Sequence, residues 1–324
     1  MTRRDFLWRS AVAAGALPAG LWARGAAPAF GRFDYPWKLG LITDEADADL
    51  SRVLAQFVPH YRLRWVELRN VRFNGRGVYL GERGTPAEVR QVKQQLQRAG
   101  VRLSVLDTGV YKVWLPGTHG AANKSDLNPV NTRFARQLEI LKHACGVAHE
   151  LGTRKIRIFT FSRVADPSQV FDRVVAELHK ALDVARQEDV ELVVENEFDC
   201  NVATGEETAR LFRAIPDPRL KHNWDPGNCF VAGEQPYPLA WSKLDHARIV
   251  HMHLKDAVRD AAGKYHWMPV GKGSIDFVGQ FRALKAMRYQ GTLSLETHYR
   301  NAQHDPWTSS MESMDGIERV LHQV

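Results

Sequence analysis

The chain has 324 residues, 44% hydrophobic and 25% charged, with 24 Gly and 15 Pro. That composition excludes an intrinsically disordered chain, a collagen-like repeat and a disulfide-stapled miniprotein. The net charge is +7, but Arg3, Arg4, Arg9 and Arg24 face a single acid, Asp5, in the first 29 residues, leaving +4 for the rest. A surplus that small calls for no nucleic-acid partner.

The amino terminus reads as an address. Arg3-Arg4 with Phe6-Leu7 behind them, the weakly apolar run to Ala23 and the small-residue site Ala27–Ala29 make a signal peptide over residues 1–29. The paired arginines resemble the twin-arginine export signal, which is read by a receptor and is not an anchor. The run is broken by Pro18 and falls short of the roughly 20 residues that span a bilayer. The expectation is a periplasmic or otherwise extracytoplasmic protein with no membrane span, its mature part being residues 30–324. Three cysteines, Cys145, Cys200 and Cys229, are too few for a disulfide framework and match no zinc spacing. Cys200 and Cys229 follow adjacent strand-like runs, so one bridge in an oxidising compartment stays open. Cys145, between Ala144 and Gly146, reads as a small packing residue.

Beyond residue 36, short apolar runs that end in polar residues recur eight times: 37–45, 65–71, 102–108, 155–161, 191–197, 220–228, 249–256 and 291–299. Helical periods fall between them, clearest over 85–100, 131–152, 168–189, 204–215 and 276–287. Pro86 and Gly100 bracket the first of these as start and stop, and Gly152 ends the second. The helical segments after the first and sixth runs are weak. Strict alternation needs a parallel sheet with crossover helices, and eight units predict a single-domain α/β (β/α)8 TIM barrel. No Gly-x-Gly-x-x-Gly follows the first run, which leaves a dinucleotide fold without support.

In such a barrel the chemistry gathers at the carboxyl ends of the strands. The last four runs end in Glu195-Asn196-Glu197, Asp225-Pro226-Gly227-Asn228, His251-Met252-His253-Leu254-Lys255 and Glu296-Thr297-His298. The side-chain period of two puts Glu195 with Glu197, His251 and His253 with Lys255, and Glu296 with His298. Each of these is unremarkable alone: a Glu at a strand end caps a loop, a buried His is hydrogen-bonded, and Asp-Pro-Gly is a turn. Their coincidence on four consecutive strands predicts convergence, and buried carboxylates call for a cation.

The segments "VVENE", "NWDPGN", "HMHLKD" with "PVGKGSIDF", and "LSLETHY" resemble the xylose isomerase-like barrel superfamily, in particular its sugar phosphate isomerase/epimerase group. The resemblance covers residues 37–324 and implies a divalent metal held by Glu195, Asp225, His253 and Glu296, with His251 a deeper structural neighbour. Three oxygen donors and one imidazole favour Mn2+, with Mg2+, Co2+ or Zn2+ as alternatives. It implies proton transfer beside a carbonyl, with Glu195 and Glu296 as acid/base catalysts whose pKa values are set apart. Lys255, pointing to the mouth, orients a hydroxyl or stabilises negative charge. Substrate contacts are expected from Glu197, Asn228, Arg259 and His298, and rim contacts from Glu67 and Arg157. Asn228 stands where sugar epimerases of the group often carry His. An exported enzyme meets unphosphorylated sugars, so the expected activity is a metal-dependent sugar isomerase or epimerase on a free sugar or sugar derivative. The runner-up is a lyase eliminating the aglycone from 3-keto glycosides. An abasic-site endonuclease needs further His and Asp ligands and a more basic face, and a non-catalytic sugar-binding barrel does not need four ligands.

Overall fold

The computed structural model describes residues 37–119 and 130–324, so the export signal expected over residues 1–29 lies outside the described residues. Eight parallel strands make one sheet: β1 (Lys38–Leu41), β2 (Trp65–Leu68), β3 (Arg102–Asp107), β4 (Lys155–Ile158), β5 (Glu191–Glu195), β6 (Leu220–Trp224), β7 (Ile249–Leu254) and β8 (Thr292–Leu295). Each lies within one of the eight anticipated runs. Strands β2 to β8 neighbour one another in sequence order and β8 pairs with β1. A parallel bridge between Ile42 and Glu67 joins the two ends and closes a (β/α)8 barrel.

The crossover helices begin and end where their chemistry directs. In α1 (Pro86–Ala99), Thr85 and Glu88 form a reciprocal capping box, Pro86 opens the first turn, and Gly100 closes it at φ +66°. Helix α2 (Gln137–Leu151) ends on left-handed Gly152, although the helical period from 131 is interrupted at Arg136, which separates Val130–Ala135 from it. Helices α3 (Phe171–Gln187), α4 (Gly205–Ala214), α5 (Phe277–Ala286) and α6 (Pro306–Leu321) complete the ring. Leu178 and Leu182 of α3 are fully buried and contribute about 1.5–3 kcal/mol each. The weak crossovers are short pieces, Thr43–Ala46 and Leu50–Arg52 after β1 and Pro226–Val231 after β6.

Two antiparallel hairpins interrupt the expected alternation. Asn70–Phe73 pairs with Arg76–Tyr79 across Asn74-Gly75, both at positive φ (49° and 79°), the backbone that an Asn-Gly hairpin turn requires. Asp256–Arg259 pairs with Tyr265–Met268 beyond β7. No described helix is long and apolar enough to cross a membrane. Cys145, Cys200 and Cys229 are buried free thiols, so the bridge left open between Cys200 and Cys229 is not formed.

Candidate metal centre

The register of the last four strands brings the four strand-end side chains together. Glu195 is level with Asn223, Asn223 with His251, and His253 with Ser294. Asp225 and Glu296 stand two residues above Asn223 and Ser294. The ligand positions thus climb the strands going round the ring, and strand tilt in a closed barrel cancels that climb. Glu195, Asp225, His253 and Glu296 each offer an atom within 4.8 Å of the others.

His253 Nδ1 is the hub. It lies 3.1 Å from Glu296 Oε2, 3.3 Å from Glu195 Oε1 and 3.5 Å from Asp225 Oδ2. Donor atoms sharing an ion at about 2.1 Å stand roughly 3.0 Å apart in octahedral and roughly 3.4 Å apart in tetrahedral geometry. On the other side of the ring, His253 Nε2 is 3.1 Å from Glu67 Oε1, and His251 Nε2 is 2.9 Å from Glu67 Oε2. Glu67 therefore accepts from both imidazoles, and a neutral His253 turns its Nδ1 lone pair to the three carboxylates, the arrangement of a metal-ligating histidine. Burial opposes charge on this ring, yet Glu67, Glu195 and Glu296 raise its pKa well above the usual histidine value. The cage thus demands positive charge. Buried Glu195 Oε2 and Asp225 Oδ2 make no hydrogen bond and are met by the cationic ends of Arg157 and Lys255. The donor set of three carboxylates and one imidazole fits a divalent cation.

The remaining charges define what else the site can do. Lys255 is 1% exposed, so it does not point to the mouth as expected: its Nζ is 2.6 Å from Glu296 Oε2 and 2.9 Å from Asp225 Oδ2. Strand β7 carries this residue below the loop after β6, where a Cβ on Gly227 would come 2.5 Å from Lys255 Cγ, so only glycine permits the approach. Arg157, expected at the rim, is buried and bridges Asp107 Oδ2 (3.3 Å) and Glu195 Oε2 (3.2 Å), with Glu296 Oε1 at 4.0 Å. Glu67, also expected at the rim, is fully buried beneath the two histidines. Burial pushes the Glu195 carboxyl up, and His253 and Arg157 reverse this and bring it down to about 2. Burial is likewise outweighed at Glu296, by Lys255 and His253, which hold it well below the usual carboxylate range. Both carboxyls are thus shifted in the same direction, and both are ionised.

Asn228 is buried and donates to Glu195 Oε1 at 3.0 Å and to the Asn196 carbonyl at 3.0 Å, so it positions a carboxylate. Glu197 and His298 line a cavity of about 490 Å3 above the centre, together with Arg69, Lys112, Arg157 and Glu296. Arg259, expected at the substrate, is instead carried away by the second hairpin: it is exposed, bonds Gly263 O and stacks on Tyr265. Sequence reasoning missed Asn196, whose side chain clasps the backbone of Asp225 through both N and O at 2.8 Å. The signal was present in "VVENE", where Asn196 lies between the two glutamates. It also missed Arg69, which joins Asp44, Glu45 and Glu296 and stands near the end of the second run, two residues beyond Glu67.

The xylose isomerase-like TIM barrel family matches residues 64–317. The inosose dehydratase of Geobacillus kaustophilus (strain HTA426) is 29% identical over 178 residues, 50% of this chain and 56% of that protein. The chain thus spans about half the length of the curated relatives it matches. Among solved structures, an IolI protein with a bound zinc atom aligns at a TM-score of 0.68 and 14% identity, over 88% of this chain and 98% of that one. Escherichia coli 3-keto-D-glucoside 4-epimerase YcjR aligns at 0.63 and 15% identity, again over 88% and 98%. These two likenesses concern the fold. With the family matched over most of its length and the barrel closed as described, the chain belongs to the xylose isomerase-like TIM barrel family.

Proposed function

We propose that this protein is a divalent-metal-dependent sugar isomerase or epimerase that moves a proton at the carbon beside a carbonyl of an unphosphorylated sugar or sugar derivative. The observation that carries the reading is the convergence of three carboxylate oxygens on His253 Nδ1 at 3.1–3.5 Å, beneath a cavity of about 490 Å3. Glu195, Asp225, His253 and Glu296 are the residues to hold the cation, Mn2+ being the first choice for such a donor set, with Mg2+, Co2+ or Zn2+ as alternatives. A bound cation supplies Lewis-acid polarisation of the substrate carbonyl.

The chain's own groups divide the remaining work. Glu195 and Glu296 each turn one oxygen to His253 and the other to Arg157. Glu296 lines the cavity, and its outer oxygen serves as base for the carbon-bound proton; Glu195, fully buried, is the second acid/base group of the pair. The Arg157 guanidinium lies between these outer oxygens, 3.2 Å from Glu195 Oε2 and 4.0 Å from Glu296 Oε1. Lys255, an ammonium 2.6 Å from Glu296 Oε2, stabilises negative charge beside the centre, and the carboxyl that takes the proton gives it back.

A second reading shares the first step. If a leaving group sits on the next carbon, the carbanionic intermediate expels it, and the enzyme is a dehydratase or a lyase acting on 3-keto glycosides. The similarity to inosose dehydratase over half the chain and the ammonium of Lys255 beside the catalytic carboxylates favour it. Incubation of the metal-loaded protein in D2O with ketoses, aldoses and 3-keto glycosides tests both. Deuterium at the carbon beside the carbonyl, lost on chelation, is the expected result. Recovered sugar marks an isomerase or epimerase, and an unsaturated product a lyase. No exchange on any member of the panel contradicts the proposal.

We also propose twin-arginine export to the periplasm, on the sequence of residues 1–29. Changing Arg3 and Arg4 to Lys should leave the precursor inside the cell; unimpaired export of that variant counts against the assignment.

A further inference from the structure

One polar pair on the cavity wall has no part in this chemistry. Lys112 comes from the loop after β3, and Glu197 lies two residues beyond Glu195. Lys112 Nζ donates to Glu197 Oε2 at 2.8 Å and sits 4.6 Å from the centre of the Phe159 ring. Glu197 is 4% exposed, yet its second oxygen, Oε1, has no hydrogen-bond partner among the described residues. Buried acceptors are normally satisfied, and one left open on a cavity wall marks a place for a ligand donor.

Two of the guanidiniums that line the cavity are already engaged, Arg157 by Asp107 and Glu195 and Arg69 by Asp44, Glu45 and Glu296; Arg83 and Arg133 line it as well. The Lys112–Glu197 pair is different in being internally neutral with capacity left over. The ammonium has two further hydrogens to donate, and the carboxylate has an oxygen to accept. A donor and an acceptor side by side match two adjacent hydroxyls, since each hydroxyl both donates and accepts. A phosphate, rich in acceptors and negatively charged, meets Glu197 as a like charge.

We propose that Lys112 and Glu197 form a subsite that binds adjacent hydroxyls of the substrate away from its reacting carbons, and so select a neutral, hydroxyl-rich molecule. The inference rests on the function proposed above, because it requires a polyol in the cavity. Lys112 and Glu197 are specificity residues in this scheme and not metal ligands.

The test is equilibrium binding to the full-length, Mn2+-loaded protein, with xylitol as probe because it has adjacent hydroxyls and no carbonyl to turn over. Inorganic phosphate is the second probe. Lys112→Gln and Glu197→Gln should each weaken xylitol binding about tenfold or more, the scale of a charge-assisted hydrogen bond. Mn2+ affinity and melting temperature should stay unchanged, and Lys112→Arg should restore part of the binding. If a single variant melts early, the double variant Lys112→Gln/Glu197→Gln, which leaves no unpaired charge, decides. Xylitol binding that is equal in wild type and variants overturns the subsite and leaves the proposed function standing. No xylitol binding to the metal-loaded wild type overturns both. Phosphate binding that Lys112→Gln abolishes, with xylitol unmoved, overturns the neutral ligand class.

Discussion

Glu296→Gln should lower turnover by roughly 10²–10⁴-fold at saturating metal, the size of a lost general base, with a far smaller change in substrate binding. Gln preserves the volume and one oxygen donor toward His253, so metal occupancy can be restored by mass action and must be measured alongside the rate. What it cannot do is accept a proton at the outer oxygen that faces Arg157. Lys255 keeps a carboxylate partner in Asp225, 2.9 Å away, so the substitution leaves no lone buried ammonium. Glu195→Gln should behave in the same way, because its outer oxygen also lies beside Arg157. Near-normal turnover of Glu296→Gln with full metal occupancy would falsify the two-carboxylate scheme.

Metal affinity should fall 10–100-fold in Glu67→Gln, the usual consequence of losing the partner of a ligating histidine. Glu67 carries no ligand atom for the four-residue centre, but it accepts from His253 Nε2 and His251 Nε2 in a fully buried position. Burial pushes the nearby Asp107 carboxyl well above its usual range against the pull of Arg157. Glutamine brings an NH2 group to two imidazole N–H groups, and one of the three must turn away. The ring proton of His253 is then free to move to Nδ1, where it competes with a cation. Competition titration against a chelator, with the melting temperature as a folding control, measures the effect. An unchanged dissociation constant would show that the histidine is held by other means.

The barrel was legible because its signals repeat. Strand runs buried on both faces alternate with periods of 3.6, and Thr85, Pro86 and Gly100 punctuate the first helix as their side chains require. The hairpin at Asn74-Gly75 carried an equally clear turn signal, but the eightfold pattern absorbed it into a crossover. The four strand-end residues could be read because each closes its own apolar run. Depth inside the barrel could not. Glu67 is bridged across the closing seam to Ile42, and Arg157 is level with Val193, two residues below Glu195. Both positions follow from strand stagger, which no single run encodes. Rim contacts were therefore assigned to two residues that belong beneath and between the ligands. Arg259 differs for a related reason: the resemblance implies a substrate contact there, whereas the chain after His253 turns into a second hairpin. Lys112 lies in a segment with no period at all, and only the folded chain brings it to the cavity.

Metal content per chain tests the account most directly. Protein stripped with a chelator and reloaded with Mn2+ should bind one ion per chain, and Asp225→Ala or His253→Ala should abolish that stoichiometric binding while the barrel remains folded. Native protein without metal, and no stoichiometric uptake when divalent metals are added, would contradict it.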